Sequence, residues 1–443
     1  MSMLLISILV IISIIAIIFL TSSLKLHAFI ALFVVSVVLA LAVLPADTII
    51  KTIKEGFGST MGSIGFLIIF GAIIGITLDK TGGTLSIAKY ILSRTGEKRS
   101  AAAIGITGFI TGLPIFCDSG FIILSGLAKS FSIRSGTAIT FMVTVLATSL
   151  YSVHCLIPPH PGALAAAGML EANIGYLVMM GIVFAIPGAL AAYFWSRFMT
   201  KGIKPEKVEI ADSHENQSMT DLPPVFLSFL PIVVPLLLIT IKSLTAIGDR
   251  AGESLVSRIF AFPGEPVIAL FTGVLLSLLL VKKRDIQSLN ALFSEAVVKA
   301  GPILIITAAG GMFGLVIRST GVGEAMGEIL SGSKAGILIP FLIAAVMKTA
   351  QGSSTVAIIT AASFVAPMLP MLGLDNEWGR LFAMLAMGSG SMVVSHANDS
   401  YFWVVTNFGE LSVNDTLKVY TSSTLIMGSV VFLCVWLVSA FVL

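Results

Sequence analysis

The sequence predicts an all-α polytopic membrane protein with two inverted-topology repeats, about ten transmembrane helices, two re-entrant hairpins and two unwound helices. The chain of 443 residues is 56% hydrophobic and only 11% charged, with a mean hydropathy of +1.03. That charge is too low to cover the surface of a soluble globule. Apolar runs long enough to cross a bilayer recur along the chain, and short polar stretches interrupt them in both halves.

We expect a membrane span wherever an apolar run approaches about 20 residues. The predicted spans are 3–20, 26–45, 57–79, 137–172, 175–198, 225–246, 265–281, 301–319, 378–409 and 419–442. Segment 3–20 lacks a basic flank and a cleavage site, which favours a retained first span over a removed signal peptide. Segments 137–172 and 378–409 are too long for one straight helix and contain polar breaks, so both are predicted to be unwound.

Two further segments, 101–128 and 335–368, each consist of two short apolar halves around a polar tip. Neither half is long enough to cross a bilayer alone. A re-entrant hairpin, which enters and leaves on the same side, is therefore the economical interpretation of each segment.

The two halves of the chain also resemble each other in the placement of glycine. Gly71 and Gly75 correspond to Gly310 and Gly314, and the polar tips follow at similar distances. Most basic residues fall on one side of the predicted spans, and the positive-inside rule makes that side cytoplasmic. The halves then enter the membrane from opposite sides and both termini face outward.

The predicted domain organisation follows from this repeat. It comprises an extra first transmembrane helix (1–25), the first inverted repeat (26–200), a cytoplasmic linker loop with an extra helix and an outer loop (201–264), and the second inverted repeat (265–443).

The polar breaks are the strongest indication of function. They are Leu113–Gly120, Ser152–Gly162, Lys348–Thr355 and Ser395–Ser400. Unpaired peptide groups cost several kcal/mol each in lipid, so irregular backbone at this depth survives only around protein or a water-filled cavity. Because discontinuous helices at corresponding places are typical of secondary transporters, we expect the four breaks to line one substrate site.

Asp118 lies at the tip of the first predicted hairpin. A carboxylate near the bilayer centre costs about 2.5 to 3.5 kcal/mol on insertion scales, so it must protonate, pair or coordinate a cation. Alternatively, Asp118 caps a helix beginning at Ser119 by accepting its free amides. Ser119 and Gly120 would offer free amides to a ligand.

Lys348 lies in the second predicted hairpin. Its ammonium could hold a substrate carboxylate or pair with Asp118 or Asp399, or its stem could carry the charge to the interface. The four residues from Gly352 to Thr355 begin a half-helix, whose free amides and dipole favour an anion. Small hydroxylated residues of this kind also serve simple helix packing in membranes.

Histidines occur in both of the predicted unwound helices. His154 and His160 flank a proline-rich break, where missing amide donors leave carbonyls free for a polar ligand. Either histidine could carry a proton near neutral pH, or could be a satisfied structural residue. His396, Asn398 and Asp399 form the corresponding group of the second half, and the Asn398 amide suits hydroxyl recognition.

Four ordered motifs, GLPIFCDSG, HCLIPPHPG, AQGSSTVA and SHANDSYFW, make the chain similar to the gluconate permease family of bacterial carriers. The resemblance extends from about Gly56 to Phe408. It implies proton symport of gluconate or a similar small hydroxy acid, with D-serine or short hydroxycarboxylates taken by some members. By position, the family's functional residues fall on Asp118, His154, His160, Lys348, His396, Asn398 and Asp399. Lys348 stands where many members are expected to carry Arg, and Cys117 and Ser119 replace expected bulkier apolar residues, which leaves the identity of the acid open.

The resulting hypothesis is a proton-coupled importer of a small hydroxy-carboxylate in the bacterial cytoplasmic (inner) membrane. It needs no cofactor or metal, its partners are substrate, proton and lipid bilayer but not nucleic acid, and a homodimer is the family-level expectation. The predicted substrate-binding residues are Asp118, Ser119, Gly120, His154, His160, Lys348, Gly352, Ser353, Ser354, Thr355, His396, Asn398 and Asp399, of which Asp118, His154 and His160 are candidates for proton coupling. Alternatives are a sodium-coupled carrier of a carboxylate or D-amino acid, a channel, and an intramembrane hydrolase with His154, His160, His396 and Asp399 as metal ligands.

Overall fold

A computed structural model describes residues 3–95, 100–203, 222–248, 254–282, 285–320, 336–396 and 399–443. All regular secondary structure in these ranges is helical. The predicted all-α class is therefore confirmed.

The first half is a series of helices of very different length. They are α1 (Met3–Ser22), α2 (Ala28–Val43), α3 (Ala46–Lys80), α4 (Gly83–Thr95), α5 (Ser100–Gly112), α6 (Cys117–Ser135), α7 (Ile139–Leu156), α8 (Pro161–Met169) and α9 (Ile174–Met199). Pro161 occupies the first turn of α8, where its missing amide donor costs nothing and its fixed φ suits the helix.

The second half repeats this order of elements. Its helices are α10 (Val225–Gly248), α11 (Leu255–Ala261), α12 (Pro266–Ser277), α13 (Ile286–Ser319), α14 (Leu338–Gln351), α15 (Ser354–Val365), α16 (Glu377–Met392), α17 (Ser400–Phe408) and α18 (Ser422–Val442). A π-helical turn, Thr416–Thr421, leads into α18. The series of long helix, hairpin, broken helix and long helix thus occurs twice, as α3, α5–α6, α7–α8 and α9, and as α13, α14–α15, α16–α17 and α18.

All four polar breaks interrupt helices, as predicted. The chain leaves helical geometry at 113–116, 157–160, 352–353, 393–396 and 399. Each predicted hairpin is a pair of packed helices joined by a short break, and each predicted unwound helix is two helices in series.

Two long helices begin earlier than predicted. Helix α3 begins at Ala46 rather than 57, and α13 begins at Ile286 rather than 301. The additional turns carry polar residues on an exposed face, such as the Lys51–Glu55 ion pair of 3.8 Å, which a search for apolar runs cannot recognise.

When spans are counted by helix length and composition, there are fewer than the ten predicted. Within the described residues, five helices are long and apolar enough to cross a membrane, or up to seven if each of two bent pairs is one span. The remaining apolar helices have 10–17 residues, among them α2, α5, α14 and α15 with its 3-10 extension. Breaks and turns divide the apolar sequence into pieces shorter than a bilayer.

Large apolar side chains cover much of the outer surface. Ile15 on α1, Phe198 on α9 and Phe226 on α10 are 59%, 66% and 73% exposed. Exposed aliphatic and aromatic side chains on long helices suit contact with lipid, where burial against protein is not required.

The interior contains two hydrophobic cores. One is formed mainly by α5–α9 and α14–α18, and the other mainly by α1–α4, α10, α12 and α13. Helices α8 and α15 contribute to both, with Leu164 and Ile359 in the second core and Ala163 and Ile358 in the first. These two half-helices therefore lie between the cores.

Glycines bring α3 against the breaks of the first half. A Cβ atom on Gly75 would lie 2.9 Å from the carbonyl oxygen of Pro114, and one on Gly71 would lie 3.0 Å from Pro159. Contacts this short leave no room for a side chain, so glycine is needed for the backbone to approach.

Candidate functional site

Asp118 lies in the first turn of α6 and does not cap it. The helix begins at Cys117, with Phe116 as an N-cap that has no side-chain hydrogen bond. The expectation that Asp118 caps a helix beginning at Ser119 is therefore wrong. The Oδ1 atom of Asp118 is buried and has no hydrogen-bond partner in the described residues.

The other residues of this tip are partly committed to the helix itself. The amide of Gly120 donates to the carbonyl of Phe116 at 2.9 Å. Contrary to the expectation, it is therefore not free for a ligand. Ser119 is half-buried beside Asp118. A Cβ atom on Gly120 would lie 2.9 Å from side-chain atoms of Ile115 and Leu150, which gives this glycine a packing role.

His154 and His160 contact each other across the first unwound break. Their Nδ1 atoms lie 3.2 Å apart, the Nε2 of His160 lies 2.7 Å from the carbonyl oxygen of Gly112, and the Nε2 of His154 lies 3.4 Å from Oγ1 of Thr355. A carbonyl only accepts, so His160 Nε2 must donate.

This contact fixes the direction of the remaining hydrogen bonds when both rings are neutral. His160 Nδ1 then accepts from His154 Nδ1–H, and His154 Nε2 accepts from the Thr355 hydroxyl. The series Thr355–His154–His160–Gly112, here called the histidine relay, joins the second hairpin to the first. Both histidines are buried.

Lys348 is fully buried and paired. Its ammonium donates to Asp399 and to the carbonyl of Gly352, and lies 5.5 Å from the ring centroid of Tyr151. Of the expected arrangements, pairing with Asp399 is the one observed, and a fully buried lysine cannot carry its charge to the interface.

Asp399 is the N-cap of α17. Its Oδ1 accepts from the amide of Tyr401 at 3.0 Å, and its Oδ2 accepts from Lys348 and from the hydroxyl of Ser395. Burial of a carboxylate is tolerable only with such partners. Asp118 is close enough to interact electrostatically with both Asp399 and Lys348.

The tip of the second hairpin opens at Gly352. This residue has φ of +86°, and its amide donates to the carbonyl of Lys348 at 2.8 Å. Contrary to the expectation, the Gly352 amide is therefore not free for a ligand. Ser353 caps α15 by accepting from Val356 N at 3.3 Å. The amides of Ser354 and Thr355, in the first turn, have no intrahelical acceptor.

The second unwound break is only partly described. His396 is half-buried, and its carbonyl accepts from the amide of Asp399 at 2.8 Å. Asn398 lies outside the described residues. The adjoining Ser395 is held by α18 and the π-helical turn, because Thr424 Oγ1 accepts from its amide at 3.1 Å and Thr421 Oγ1 donates to its carbonyl at 2.6 Å.

The four breaks are connected in space. The histidine relay joins the first hairpin, the first unwound break and the second hairpin, and the Lys348–Asp399 pair joins the second hairpin to the second unwound break. A Cβ atom on Gly162 would lie 3.2 Å from Cα of Thr355, which places the start of α8 against the start of α15. At each break a new half-helix begins, so four positive dipole ends belong to this site.

Two tyrosines complete the site and were missed by the sequence reasoning. Tyr151 donates to the carbonyl of Ser391 at 3.2 Å, and Tyr401 donates to the carbonyl of Ala147 at 3.0 Å. They tie the two broken helices together. Their positions in the sequence could have indicated a role at the site, because Tyr151 precedes His154 by three residues and Tyr401 follows Asp399 by two.

No group of three or more His, Cys, Asp or Glu side chains suited to a metal occurs in the described part of the chain. Asp399 is occupied by Lys348, and the two histidines bond to each other. These side chains are therefore engaged in hydrogen bonds and an ion pair.

A helical protein that exposes apolar side chains suited to lipid, and buries a polar cluster at broken helices, has the architecture of a membrane transporter. Comparison with known proteins gives the family: residues 3–442 match the model of the GntP family permease, and the chain belongs to this family. The similarity to gluconate permeases found from the four motifs is thereby confirmed.

Relatives and a solved structure agree with this assignment. The chain is 33% identical to "Inner membrane permease YgbN" of Escherichia coli K12, over 94% of each chain, and 31% identical to "Gluconate permease" of Pseudomonas aeruginosa PAO1, over 97% of this chain and 96% of that one. It shares its fold with the Alcanivorax borkumensis YdaH transporter, with a TM-score of 0.61 and 12% identity over 94% of this chain and 97% of that one.

The protein is therefore a multi-pass membrane permease and not an enzyme. The alternative of an intramembrane hydrolase with four metal ligands is wrong.

Proposed function

We propose that this permease is a secondary active transporter that imports gluconate or a related small hydroxy-carboxylate across the bacterial cytoplasmic membrane, coupled to protons. The observation that carries the proposal is the histidine relay beside the buried Lys348–Asp399 pair. It brings exchangeable protons and a cation paired with a carboxylate together among buried side chains. The name of the Pseudomonas relative supports gluconate as the first substrate to test.

The substrate carboxylate is proposed to bind at the first turn of α15. The amides of Ser354 and Thr355, which have no intrahelical acceptor, belong to this turn, and Lys348 is adjacent through its bond to Gly352. Because Lys348 is paired with Asp399 in this structure, the substrate carboxylate would compete with Asp399 for the ammonium. Hydroxyl groups of the substrate would bind Ser119, Ser353 and Asn398.

The coupling proton is proposed to reside on Asp118 or on the histidine relay. The buried Oδ1 of Asp118 has no partner in the described residues, and a proton on this carboxyl would remove a charge that the interior disfavours. The relay can take a proton at His154 or His160. This can reverse the bond between the two histidines and the bond to Thr355, while His160 Nε2 continues to donate to the carbonyl of Gly112.

The topology proposed from the sequence accompanies this function. The recurrence of helix, hairpin and broken helix in the described residues supports two repeats. The proposed domain boundaries are residues 25, 200 and 264. Their opposite orientation, the outward-facing termini and a homodimer are part of the proposal.

Uptake of labelled gluconate into proteoliposomes tests the function. We expect accumulation with an inward proton gradient and none with a sodium gradient alone. Accumulation that requires sodium would assign the sodium-coupled alternative. Counterflow, in which internal unlabelled gluconate accelerates labelled entry, should occur in a carrier and be absent from a channel.

A further inference from the structure

A cavity of about 630 Å³ lies apart from the site described above. None of the candidate site residues lines it. Its wall includes one face of α3, with Ser59, Thr60 and Ser63, and one face of α13, ending at Arg318. Its volume is within the range of small-molecule pockets, roughly 300 to 1,000 Å³.

The cavity is connected to the site by two adjacent half-helices. Helices α8 and α15 both begin at the site, where Gly162 meets Thr355, and both end at the cavity, where Gly168–Leu170 and Ala366–Pro367 contribute to the wall. Helix α15 has 12 residues, so the cavity and the site lie about 18 Å apart at 1.5 Å per residue. Both half-helices also separate the two hydrophobic cores.

The α3 and α13 faces are shaped by close backbone contact. A Cβ atom on Gly311 would lie 1.8 Å from Oγ1 of Thr60, and one on Gly56 would lie 2.7 Å from Cα of Met312. The glycines hold the two helices together at this level. Side chains at Ser59, Ser63 and Arg318, on the same faces, are exposed.

The cavity carries an anion-binding group together with hydroxyl groups. Arg318 makes no ion pair with any residue that the structure describes, whereas Arg380 on the same wall is held by Asp375 at 2.7 Å and Glu171 at 2.6 Å. Ser63 donates to the carbonyl of Thr60 at 3.0 Å, which leaves its oxygen free to accept. A guanidinium suits a carboxylate, and free hydroxyl oxygens suit a substrate with several hydroxyl groups.

We propose that this cavity is a second binding site, here called the waiting site, in which a small hydroxy-carboxylate binds at Arg318, Ser59 and Ser63 before it reaches the buried site. The inference rests on the proposed function. The C-terminal ends of α8 and α15 carry partial negative charge, so the cation at Arg318 is needed for an anion to stay there. In the topology proposed above, the cavity opens on the outer side.

Uptake kinetics in intact cells test the role of Arg318. The R318Q variant should show a gluconate KM raised about three- to tenfold with an unchanged maximal rate, since electrostatic attraction raises local ligand concentration. The KM of the unchanged protein should rise with ionic strength, and that of R318Q should rise less. R258Q removes a charge from α11, outside the cavity wall, and should behave like the unchanged protein. An unchanged KM in R318Q overturns the proposal.

Thiol labelling separates this site from the buried one. In S63C, gluconate should slow modification by a sulfonate-bearing methanethiosulfonate, and sorbitol, which lacks the carboxylate, should not. The protection should persist in S63C/K348M/D399N, whose buried site is impaired but contains no unpaired buried charge. Protection that disappears in this variant would come from the buried site and overturn the proposal. S59C provides the same measurement one turn away if S63C does not fold.

The same cells distinguish the two proposals. Failure of the wild-type protein to take up gluconate or any related small hydroxy-carboxylate would refute the proposed function and the waiting site with it. Normal uptake without any effect of R318Q or any protection of S63C would refute the waiting site alone.

Discussion

Removing one partner of the Lys348–Asp399 pair should destabilise the protein far more than removing both. The side chains are 0% and 4% exposed, so either single change leaves a buried charge without its counter-charge. Such a loss costs about 3 to 5 kcal/mol, whereas neutral replacement of both partners is often tolerated. We expect K348M and D399N each to lose this amount, and the double variant to lose about 1 to 2 kcal/mol, the cost of the lost hydrogen bonds. The sum of the single losses should exceed the double loss by about 4 kcal/mol or more.

The assay is reversible unfolding in mixed micelles, followed by the fluorescence of the four tryptophans. D399N is the informative single variant, because an amide oxygen can still accept from the amide of Tyr401. The Lys51–Glu55 pair is the matched control, with side chains 75% and 59% exposed, and its cycle should give a coupling below about 0.5 kcal/mol. Additive losses at Lys348 and Asp399 would refute the conclusion that their charges compensate each other.

Three further predictions concern the proton and the packing. D118N should abolish proton-driven accumulation of gluconate in proteoliposomes while counterflow continues, and accumulation that persists would place the proton elsewhere. H160Q should lower uptake at least tenfold and flatten its pH profile, because the relay loses a titratable ring, whereas H27Q at the exposed start of α2 should leave the profile unchanged. G75A should destabilise the protein by about 1 to 3 kcal/mol, since its Cβ would lie 2.9 Å from a carbonyl oxygen. The control G62A, whose Cβ would have nothing within 4 Å, should be neutral or slightly stabilising in a thermal melt. Equal melting temperatures of the two variants would contradict the argument that Gly75 allows a close backbone approach.

The breaks could be predicted from sequence because their cause is local. Proline at 114, 158, 159 and 161 removes amide donors, and Gly352 adopts a positive φ that few other residues allow. Interruptions of this kind stand out within runs of apolar residues. The long starts of α3 and α13 were missed for the opposite reason, because polar residues continue a helix without any apolar signal.

The partners within the site could not be predicted, because they are set by tertiary packing. Lys348 and Asp399 are 51 positions apart, and the sequence left Asp118 and Asp399 as equal candidates for the pair. Thr355 and His154 are 201 positions apart, and only the contact between α8 and α15 brings them together. Thr421 and Thr424 hold Ser395 from a helix that no motif connected with the site.

The charge pair and the histidine relay meet at α7, and this arrangement gives a physical reason for the coupling of anion and proton proposed above. Tyr151 faces the ammonium of Lys348 at 5.5 Å and stacks on the His154 ring with 6.4 Å between centroids. The paired Lys348 and Asp399 carry no net charge, so a substrate monoanion entering between them leaves one excess negative charge in a buried site. A proton taken up together with the substrate, on Asp118 or the relay, offsets this added charge, so the net charge of the site is the same as before binding and no further charge is buried. With D118N, which cannot take up the proton, the anion should still exchange across the membrane but lose its link to the proton gradient.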